Sequence, residues 1–222
     1  MKRGKEKMLY AAFVLLAFFP GILPAEEGAS HAVDFAARIQ AIRAAKDSLM
    51  RFSPDSPIPA KQRNAFRGLK YFPVDPKYRL VGRLQVYGRR RLVQVPTTDG
   101  GSMTLERFGR FAGQWEGKPF WLEVYRNTEG GDLEVFFTDP TNGDQTYAGG
   151  RYARIEKLDE GGWLLDLNDA YNPYCAYNHD YVCPIPPPQN HLFFPVRAGE
   201  KRYGADLADL PARTSLDRTK QR

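Results

Sequence analysis

Two carboxylates, Asp139 and Asp166, stand in the segments of this chain whose residue types best suit chemistry. Asp139 lies in a polar segment over residues 136–152, and Asp166 begins another over residues 166–172. Two carboxylates at a suitable separation act as general acid and base when the pKa of one is raised. Arg151 lies between them and would stabilise a developing negative charge. One functional hypothesis is therefore a hydrolase that uses these carboxylates on an envelope or extracellular substrate.

The other hypothesis is a binding protein. The chain contains neither the Gly-x-Ser-x-Gly motif of serine hydrolases nor the His-Glu-x-x-His motif of zinc peptidases. It also has few histidines, so binding of a small polar or anionic ligand is favoured over catalysis. We expect no cofactor and no metal. The predicted loop-built pocket comprises Asp139, Tyr147, Arg151, Asn168, Tyr171, Asn172, Asn190 and Glu200.

Each of these residues also has an ordinary structural role. An Asp or Asn at the end of a strand often caps a turn through nearby backbone groups. A Tyr in a barrel packs its ring while its hydroxyl finds one partner. Arg151 could pair with Asp139 or with Asp166. Only the joint density of these side chains favours a site.

Both cysteines, Cys175 and Cys183, lie in a proline-rich stretch, the Pro-rich loop (residues 173–188). Prolines lack an amide donor and have a fixed φ, which excludes a helix or a central strand. Two cysteines in an exported chain predict a disulfide, which for so short a loop contributes about 2 kcal/mol. The alternative is a metal bound by these thiols and His179, although a structural site normally needs a fourth ligand.

The N-terminus has the pattern of a secretory signal. Basic residues precede an apolar run over residues 8–23, and Ala25 is a small residue suited to a cleavage site. A retained membrane anchor is the alternative, but the run is short and is broken by Pro20 and Gly21. We therefore predict that residues 1–25 are a cleaved signal and that the protein is periplasmic or secreted.

Charge is unevenly distributed along a chain with a formal net charge of +6. Lys and Arg dominate residues 61–91, where Asp75 is the only acid, whereas acids outnumber basic residues over 99–170. These segments could face solvent or pair with each other. The alternative is a basic surface for envelope polysaccharide or lipid headgroups. An exported monomer without a nucleic-acid partner is expected.

Residues 31–51 have apolar positions at helical spacing, which predicts an amphipathic helix. We expect this helix to dock on the sheet through Phe35, Ile39, Ile42 and Leu49. A Pro-rich linker over residues 53–60 and a further helical turn over residues 61–69 should follow.

After Pro73 the pattern changes to alternating strands, with hairpin turns at residues 130–131 and 161–162. Eight strands are predicted, over residues 78–87, 91–96, 103–111, 119–127, 132–138, 151–158, 163–168 and 191–196. Closure of such a meander removes its exposed edges. We therefore predict a mainly β fold, an antiparallel meander of about eight strands that closes into a barrel or strongly rolled sheet. It forms one domain over residues 26–207, with strands over about 78–198, before a disordered basic tail over residues 208–222.

The hairpin turned at residues 161–162 should bring the polar segments together. Its strands run in opposite directions, so Arg151 starts one strand beside Asp166 and Asn168 at the end of the other. We expect the polar residues of both loops to gather at that end of the sheet.

Several strings resemble a family of bacterial and archaeal proteins, domain-of-unknown-function family 1684. They are GLKYFPVDPKYRL, FTDPTNGDQTYAGGRY, DLNDAYNPYCAYN, CPIPPPQNHL and RAGEK. The resemblance covers about residues 35–203. Members typically have Phe in place of Leu167 and Pro in place of Tyr174, and both departures are mild. The resemblance implies one exported, β-rich domain and no established activity.

Overall fold

The computed structural model describes residues 25–89, 91–128 and 131–204, with side chains from Phe35 onward. The predicted tail and, apart from Ala25, the predicted signal lie outside the described residues. Within this part of the chain, no helix is both long and apolar enough to cross a membrane.

In the described part of the chain, two helices precede seven strands. The helices are α1 (Ala25–Phe52) and α2 (Ala60–Arg63). The strands are β1 (Arg79–Val86), β2 (Leu92–Pro96), β3 (Ser102–Trp115), β4 (Lys118–Asn127), β5 (Leu133–Phe137), β6 (Arg151–Lys157) and β7 (Trp163–Asp166). Short 3-10 turns occur at Pro76–Tyr78, Leu167–Asp169, Tyr174–Ala176 and Pro188–Asn190.

Six of the strands close an antiparallel barrel. Neighbours follow the order β1-β7-β6-β5-β4-β3, and β3 pairs again with β1. The remaining strand, β2, pairs with the other half of β3. The predicted mainly β fold and its closure into a barrel are confirmed.

Gly82 lies where β1 exchanges one partner strand for another. Residues 79–82 pair with β7, and residues 83–86 pair with β3. A Cβ atom at Gly82 would come within 2.3 Å of the carbonyl oxygen of Ala112, so only glycine permits this approach. The long strand β3 is bent by a bulge opposite β4, and both features help the sheet to curve.

The predicted eighth strand, over residues 191–196, is wrong. Residues 191–201, called the strap below, form an irregular segment with bends at 193–194 and 198–199, held by isolated bridges rather than a strand ladder. Pro195 lacks the amide that a ladder needs. The alternating apolar pattern has a different cause: these side chains fill the barrel.

The strap packs into the barrel core. Its alternate side chains Leu192, Phe194 and Val196 are buried in the same cluster as the inward-facing residues of the strands. The Phe194 ring stacks on Trp115 with ring centroids 4.2 Å apart. Burial of such side chains is the main stabilising contribution to a core of this kind.

Helix α1 docks through a face that differs in part from the predicted one. Ile39 is buried, and Phe35 and Ile42 are half-buried. The prediction for Leu49 was wrong, since 44% of it is exposed, whereas its neighbour Met50 is completely buried. Successive helical positions differ by about 100° in direction, so Leu49 and Met50 lie on different sides of the helix. Because Met50 is the buried one, the end of α1 packs on the segment that follows it rather than on the sheet.

Candidate functional site

The predicted site residues gather at one end of the β6–β7 hairpin. Arg151 is the first residue of β6, and Asn168 lies in the turn directly after β7. Most of the set is deeply buried, with exposed fractions of 3% or less for Asp139, Arg151, Asn168, Asn172, Asn190 and Glu200. These six side chains present almost no surface to a ligand.

Arg151 ties the strap to the barrel. Its Nη1 atom donates to the carbonyl oxygens of Ala198 and Glu200, at 2.6 and 3.2 Å. Its Nη2 atom donates to the carbonyl oxygen of Val196 at 2.8 Å and to Asp139 Oδ2 at 3.0 Å. Burial lowers the pKa of the Arg151 guanidinium. The Asp139 carboxylate acts in the opposite direction and raises this pKa. The structural alternative, in which Arg151 pairs with Asp139, is the observed arrangement.

Glu200 connects the strap to the Pro-rich loop and to α1. Its carboxylate accepts a hydrogen bond from the Asn172 amide at 2.9 Å. It also accepts one from the Tyr177 hydroxyl and forms an ion pair with Lys46. The Asn172 side chain donates to the Lys201 carbonyl oxygen at 2.9 Å. Each of these bonds holds one chain segment against another.

Asn168 and Asn190 replace missing main-chain pairings. The Asn190 side chain accepts from the Glu123 amide at 2.8 Å and donates to the carbonyl oxygens of Glu123 and Phe136, each at 2.9 Å. It therefore bridges β4 and β5 where they separate. Asn168 exchanges two hydrogen bonds with the backbone of Asp75, at 2.9 and 3.0 Å. Buried backbone groups require such partners.

The two candidate catalytic acids serve different parts of the structure. Asp139 accepts bonds from the amide and hydroxyl of Thr141, at 2.9 and 2.7 Å, and from the Val196 amide at 3.0 Å. Asp166 caps the turn after β7 by accepting from the amide and side chain of Asn168. Burial raises the pKa of Asp166. The raised pKa of Asp166 meets one requirement for acid catalysis. The second carboxylate that such a mechanism needs, Asp139, is held in an ion pair with Arg151.

Tyr171 lies in a groove between α1 and the barrel. The groove has a volume of about 270 Å³. Tyr171 donates to Glu134, and its ring faces Lys46 and Arg154 at 4.7 and 5.7 Å from the ring centroid. Burial raises the pKa of Tyr171, which keeps its hydroxyl protonated. Both cations have acidic partners within the protein.

A larger cavity, of about 470 Å³, lies between the Pro-rich loop and the turn that follows β2. We call it the loop cavity. Its walls combine hydrogen-bonding groups with apolar surface, as small-molecule sites usually do. The lining residues are Thr98, Asp99, Tyr147, Gly149, Pro173, Cys175, His179, Tyr181, Val182, Pro184 and Ile185.

Hydrogen bonds to the end of β2 hold the Pro-rich loop in place. The Ile185 amide donates to the Pro96 carbonyl oxygen at 2.8 Å, and the Thr98 amide donates to the Cys183 carbonyl oxygen at 3.0 Å. The Cys183 amide donates to the Thr98 hydroxyl at 3.1 Å. The loop thus uses its few available amides to continue the edge of β2. The cavity wall is built before any ligand arrives.

The polar groups of the loop cavity differ in charge at neutral pH. Hydrogen bonds from the Thr97 hydroxyl and the Gly101 amide hold the pKa of Asp99 below its ordinary value. Burial, together with a hydrogen bond to Cys175, raises the pKa of Tyr147 to about 12. The cavity therefore presents a carboxylate and a neutral phenol.

Cys175 and Cys183 are close together but not bonded. Both are buried free thiols, and the Cys175 amide lies 3.3 Å from Cys183 Sγ. The Tyr147 hydroxyl lies 3.8 Å from Cys175 Sγ, within hydrogen-bonding distance for sulfur. A hydrogen bond from Cys183 lowers the pKa of Cys175 to about 6, and the same coupling raises that of Cys183. The disulfide stays a prediction.

The metal alternative has no support in the geometry. Within the described part of the chain, no three His, Cys, Asp or Glu side chains are grouped to hold an ion. His179 lies on the cavity wall without joining both thiols in such a group.

Of the residues that line the loop cavity, sequence reasoning singled out Tyr147, for a different pocket with Arg151, and Cys175, for a disulfide, and it assigned no site role to Asp99. Asp99 follows a strand and precedes two glycines, and that pattern indicates only a turn. His179 was considered solely as a metal ligand. The signal that could have found both is the Pro-rich loop itself, which must lie against some strand edge.

The fold and site define a small antiparallel barrel protein whose core holds a strap and whose side carries a loop-built cavity. The family described as "Protein of unknown function (DUF1684)" matches residues 64–201. The chain belongs to this family, which confirms the resemblance found in the sequence.

One solved structure is similar over most of its length. It is the solution NMR structure of the uncharacterized protein from gene locus rrnAC0354 of Haloarcula marismortui, with 34% sequence identity and a TM-score of 0.61. The match covers 78% of this chain and 96% of that chain. A search of curated proteins found no match.

Proposed function

We propose that this protein binds a small polar ligand in the loop cavity. The observation that carries the proposal is the convergence of Tyr147, Asp99 and His179 on one preformed space. The apolar side chains of Val182 and Ile185 complete the walls and would cover the non-polar parts of the same ligand. A few placed polar groups among apolar walls are typical of specific small-molecule sites.

The charges favour a neutral or cationic ligand over an anionic one. Asp99 stays ionised at neutral pH and would repel an anion. The arginine expected to bind an anion, Arg151, is completely buried and already donates to four oxygens. The proposal therefore narrows the expected ligand from polar or anionic to polar. Hydrolysis by Asp139 and Asp166 is not included, because each carboxylate is engaged in a different structural role.

We also propose that the protein is exported and works in the periplasm or outside the cell. The support is the basic and apolar pattern of residues 1–25. Expression of the full chain with cell fractionation, followed by mass spectrometry of the mature N-terminus, tests this step. A full-length chain in the cytoplasmic fraction would contradict export without affecting the binding proposal.

The binding proposal is tested by nuclear magnetic resonance with small polar compounds: neutral sugars, polyols, amino acids and nucleosides. Binding should shift the amide signals of residues 98–99, 147–149 and 175–185. Tyr147→Phe and Asp99→Asn should each weaken binding by up to about tenfold, the effect of one lost hydrogen bond.

Tyr203→Phe and Asp159→Asn are matched controls, since they change the same residue types away from the loop cavity. Their affinities should equal that of the wild type. Binding that shifts other residues, or that tolerates both cavity variants, would refute the proposal.

A further inference from the structure

The two cysteines differ in their access to the loop cavity. Cys175 is among the residues that line the cavity, whereas Cys183 is not, and the amide and carbonyl oxygen of Cys183 are both bonded to Thr98. The two cysteines are neighbours, since the Cys175 amide lies 3.3 Å from Cys183 Sγ. One thiol is thus placed to meet a molecule in the cavity, and the other is placed to react with the first.

One polar group lies within hydrogen-bonding distance of each sulfur atom. Cys175 Sγ lies 3.8 Å from the Tyr147 hydroxyl, and Cys183 Sγ lies 3.3 Å from the Cys175 amide. Hydrogen bonds to sulfur stabilise the thiolate, which is the nucleophilic form of cysteine. The direction of the Cys175 pKa agrees with this placement. A purely structural disulfide needs neither the donors nor the opening to the cavity.

We propose that Cys175 and Cys183 form a thiol–disulfide exchange site whose substrate is a small organic disulfide held in the loop cavity. Cys175 is the attacking thiol and Cys183 is the resolving thiol. The proposal uses the same cavity as the binding proposal but does not depend on a polar ligand.

The exchange balances without a further reactant. The Cys175 thiolate attacks one sulfur of R–S–S–R, forms a mixed disulfide with it, and releases one thiolate RS⁻. The Cys183 thiolate then attacks Cys175 Sγ, forms the Cys175–Cys183 disulfide, and releases the second RS⁻. The two protons lost by the cysteines end on the two RSH products. The protein is oxidised and the small disulfide is reduced.

The proposal predicts different products for the two single variants. Reduced full-length protein is mixed with bis(2-hydroxyethyl) disulfide as the probe, a small uncharged disulfide that the Asp99 carboxylate does not repel, and the products are identified by mass spectrometry. The wild type should lose two hydrogens and retain no hydroxyethylthio group. Cys183→Ser should accumulate one hydroxyethylthio group on Cys175, because the resolving thiol is missing. Cys183→Ala serves as a second variant if serine disturbs the loop.

Cys175→Ser is the matched control and should react more than tenfold more slowly than Cys183→Ser. Equal rates for the two variants, or no adduct on either one, would overturn the assignment of roles. A wild-type protein that retains a hydroxyethylthio group would show that Cys183 cannot resolve the mixed disulfide. Each of these results leaves the test of polar-ligand binding untouched.

Tyr147 is proposed as a positioning residue, and its test is a pH profile. The alkylation rate of Cys175 in the Cys183→Ser variant should rise with pH around a midpoint below the value of about 8.5 for an ordinary thiol. Adding Tyr147→Phe should move that midpoint upward, because one donor to the thiolate is lost. Adding Tyr203→Phe should leave it in place. An unchanged midpoint with Tyr147→Phe would remove Tyr147 from the site.

Discussion

The strap and the loop cavity are both rich in polar side chains, yet they use them in opposite ways. At the strap, Arg151, Asp139 and Glu200 are buried and donate to or accept from other parts of the chain. In the loop cavity, Asp99 and His179 are exposed and border open space. Polar density therefore does not identify a site. The loop cavity is distinguished by exposure to open space, since Asp99 also accepts from the Thr97 hydroxyl and the Gly101 amide.

This comparison has a physical origin. The strap crosses the barrel core without a ladder, so its amides and carbonyl oxygens need side-chain partners, and a buried group left without one is costly. The Pro-rich loop runs along a strand edge, and five of its sixteen residues are prolines, which have no amide to satisfy. These prolines reduce the demand for side-chain partners.

The largest expected effect comes from Arg151→Met. This variant keeps an unbranched apolar stem but removes the guanidinium, which leaves the Asp139 carboxylate buried without its cation. Breaking a buried ion pair from one side costs about 3–5 kcal/mol in the free energy of unfolding. Urea denaturation measures this loss. Arg154→Met, in a half-exposed ion pair, should cost less than about 1 kcal/mol. Similar losses in the free energy of unfolding for both variants would contradict the difference proposed between buried and exposed ion pairs.

A smaller effect is expected for Asn190→Ala. It removes three hydrogen bonds and leaves backbone groups of Glu123 and Phe136 buried without partners. The expected loss is about 2–4 kcal/mol in the free energy of unfolding. Asn178→Ala, in the Pro-rich loop, removes one exposed bond to the Asp180 amide and should cost less than about 1 kcal/mol. A tolerated Asn190→Ala would mean that β4 and β5 need no bridge.

Two barrel glutamates extend the comparison to pH. Burial raises the pKa of Glu134, so the folded state holds more protons and stability falls as pH rises above about 4.5. Burial also opposes ionisation of Glu123, but bonds from Arg107, Tyr87 and Arg110 outweigh it and lower the pKa. Its contribution is present above that pH and is lost as pH falls through the lowered value.

Urea denaturation across a pH series tests this sign difference. Glu134→Gln should remove pH dependence on the neutral side of about 4.5, and Glu123→Gln should remove it on the acidic side. The predicted difference in sign would be contradicted if both variants changed the pH dependence of stability on the same side of about pH 4.5.

The smallest effect separates two tyrosine hydroxyls. Tyr78 donates to the Pro195 carbonyl oxygen at 3.1 Å and accepts from the Arg197 amide at 3.2 Å. Tyr78→Phe should therefore cost about 1–2 kcal/mol in the free energy of unfolding. Tyr147→Phe, in the loop cavity, should cost less than about 0.5 kcal/mol, since its hydroxyl bonds only weakly to a thiol. A larger loss from Tyr147→Phe would give that hydroxyl a structural role.

Most of the barrel could be predicted because strands have local signals. Alternation and glycine turns placed seven strands within a few residues of their observed bounds. The prediction of an eighth strand was wrong because alternating apolar side chains also occur in a segment that forms no hydrogen-bond ladder with a neighbouring strand. The prediction that Leu49 is buried was wrong for a related reason. Helical spacing predicts which residues share the apolar face of a helix, but it does not show where the surface that covers this face ends.

The sequence by itself determined the class of fold, the family and the end of the sheet where the polar residues meet. The fold class and the sheet end follow from periodicity, turn residues and strand direction, and the family follows from the resemblance of strings such as FTDPTNGDQTYAGGRY, all of which are local properties. Only the tertiary structure decided which polar side chains are buried in hydrogen bonds between chain segments and which border a cavity. That distinction depends on the partners that distant segments supply, such as the strap for Arg151 and the end of β2 for the Pro-rich loop. Hydrogen-bond demand is a property of the whole fold, and no single stretch of sequence records it.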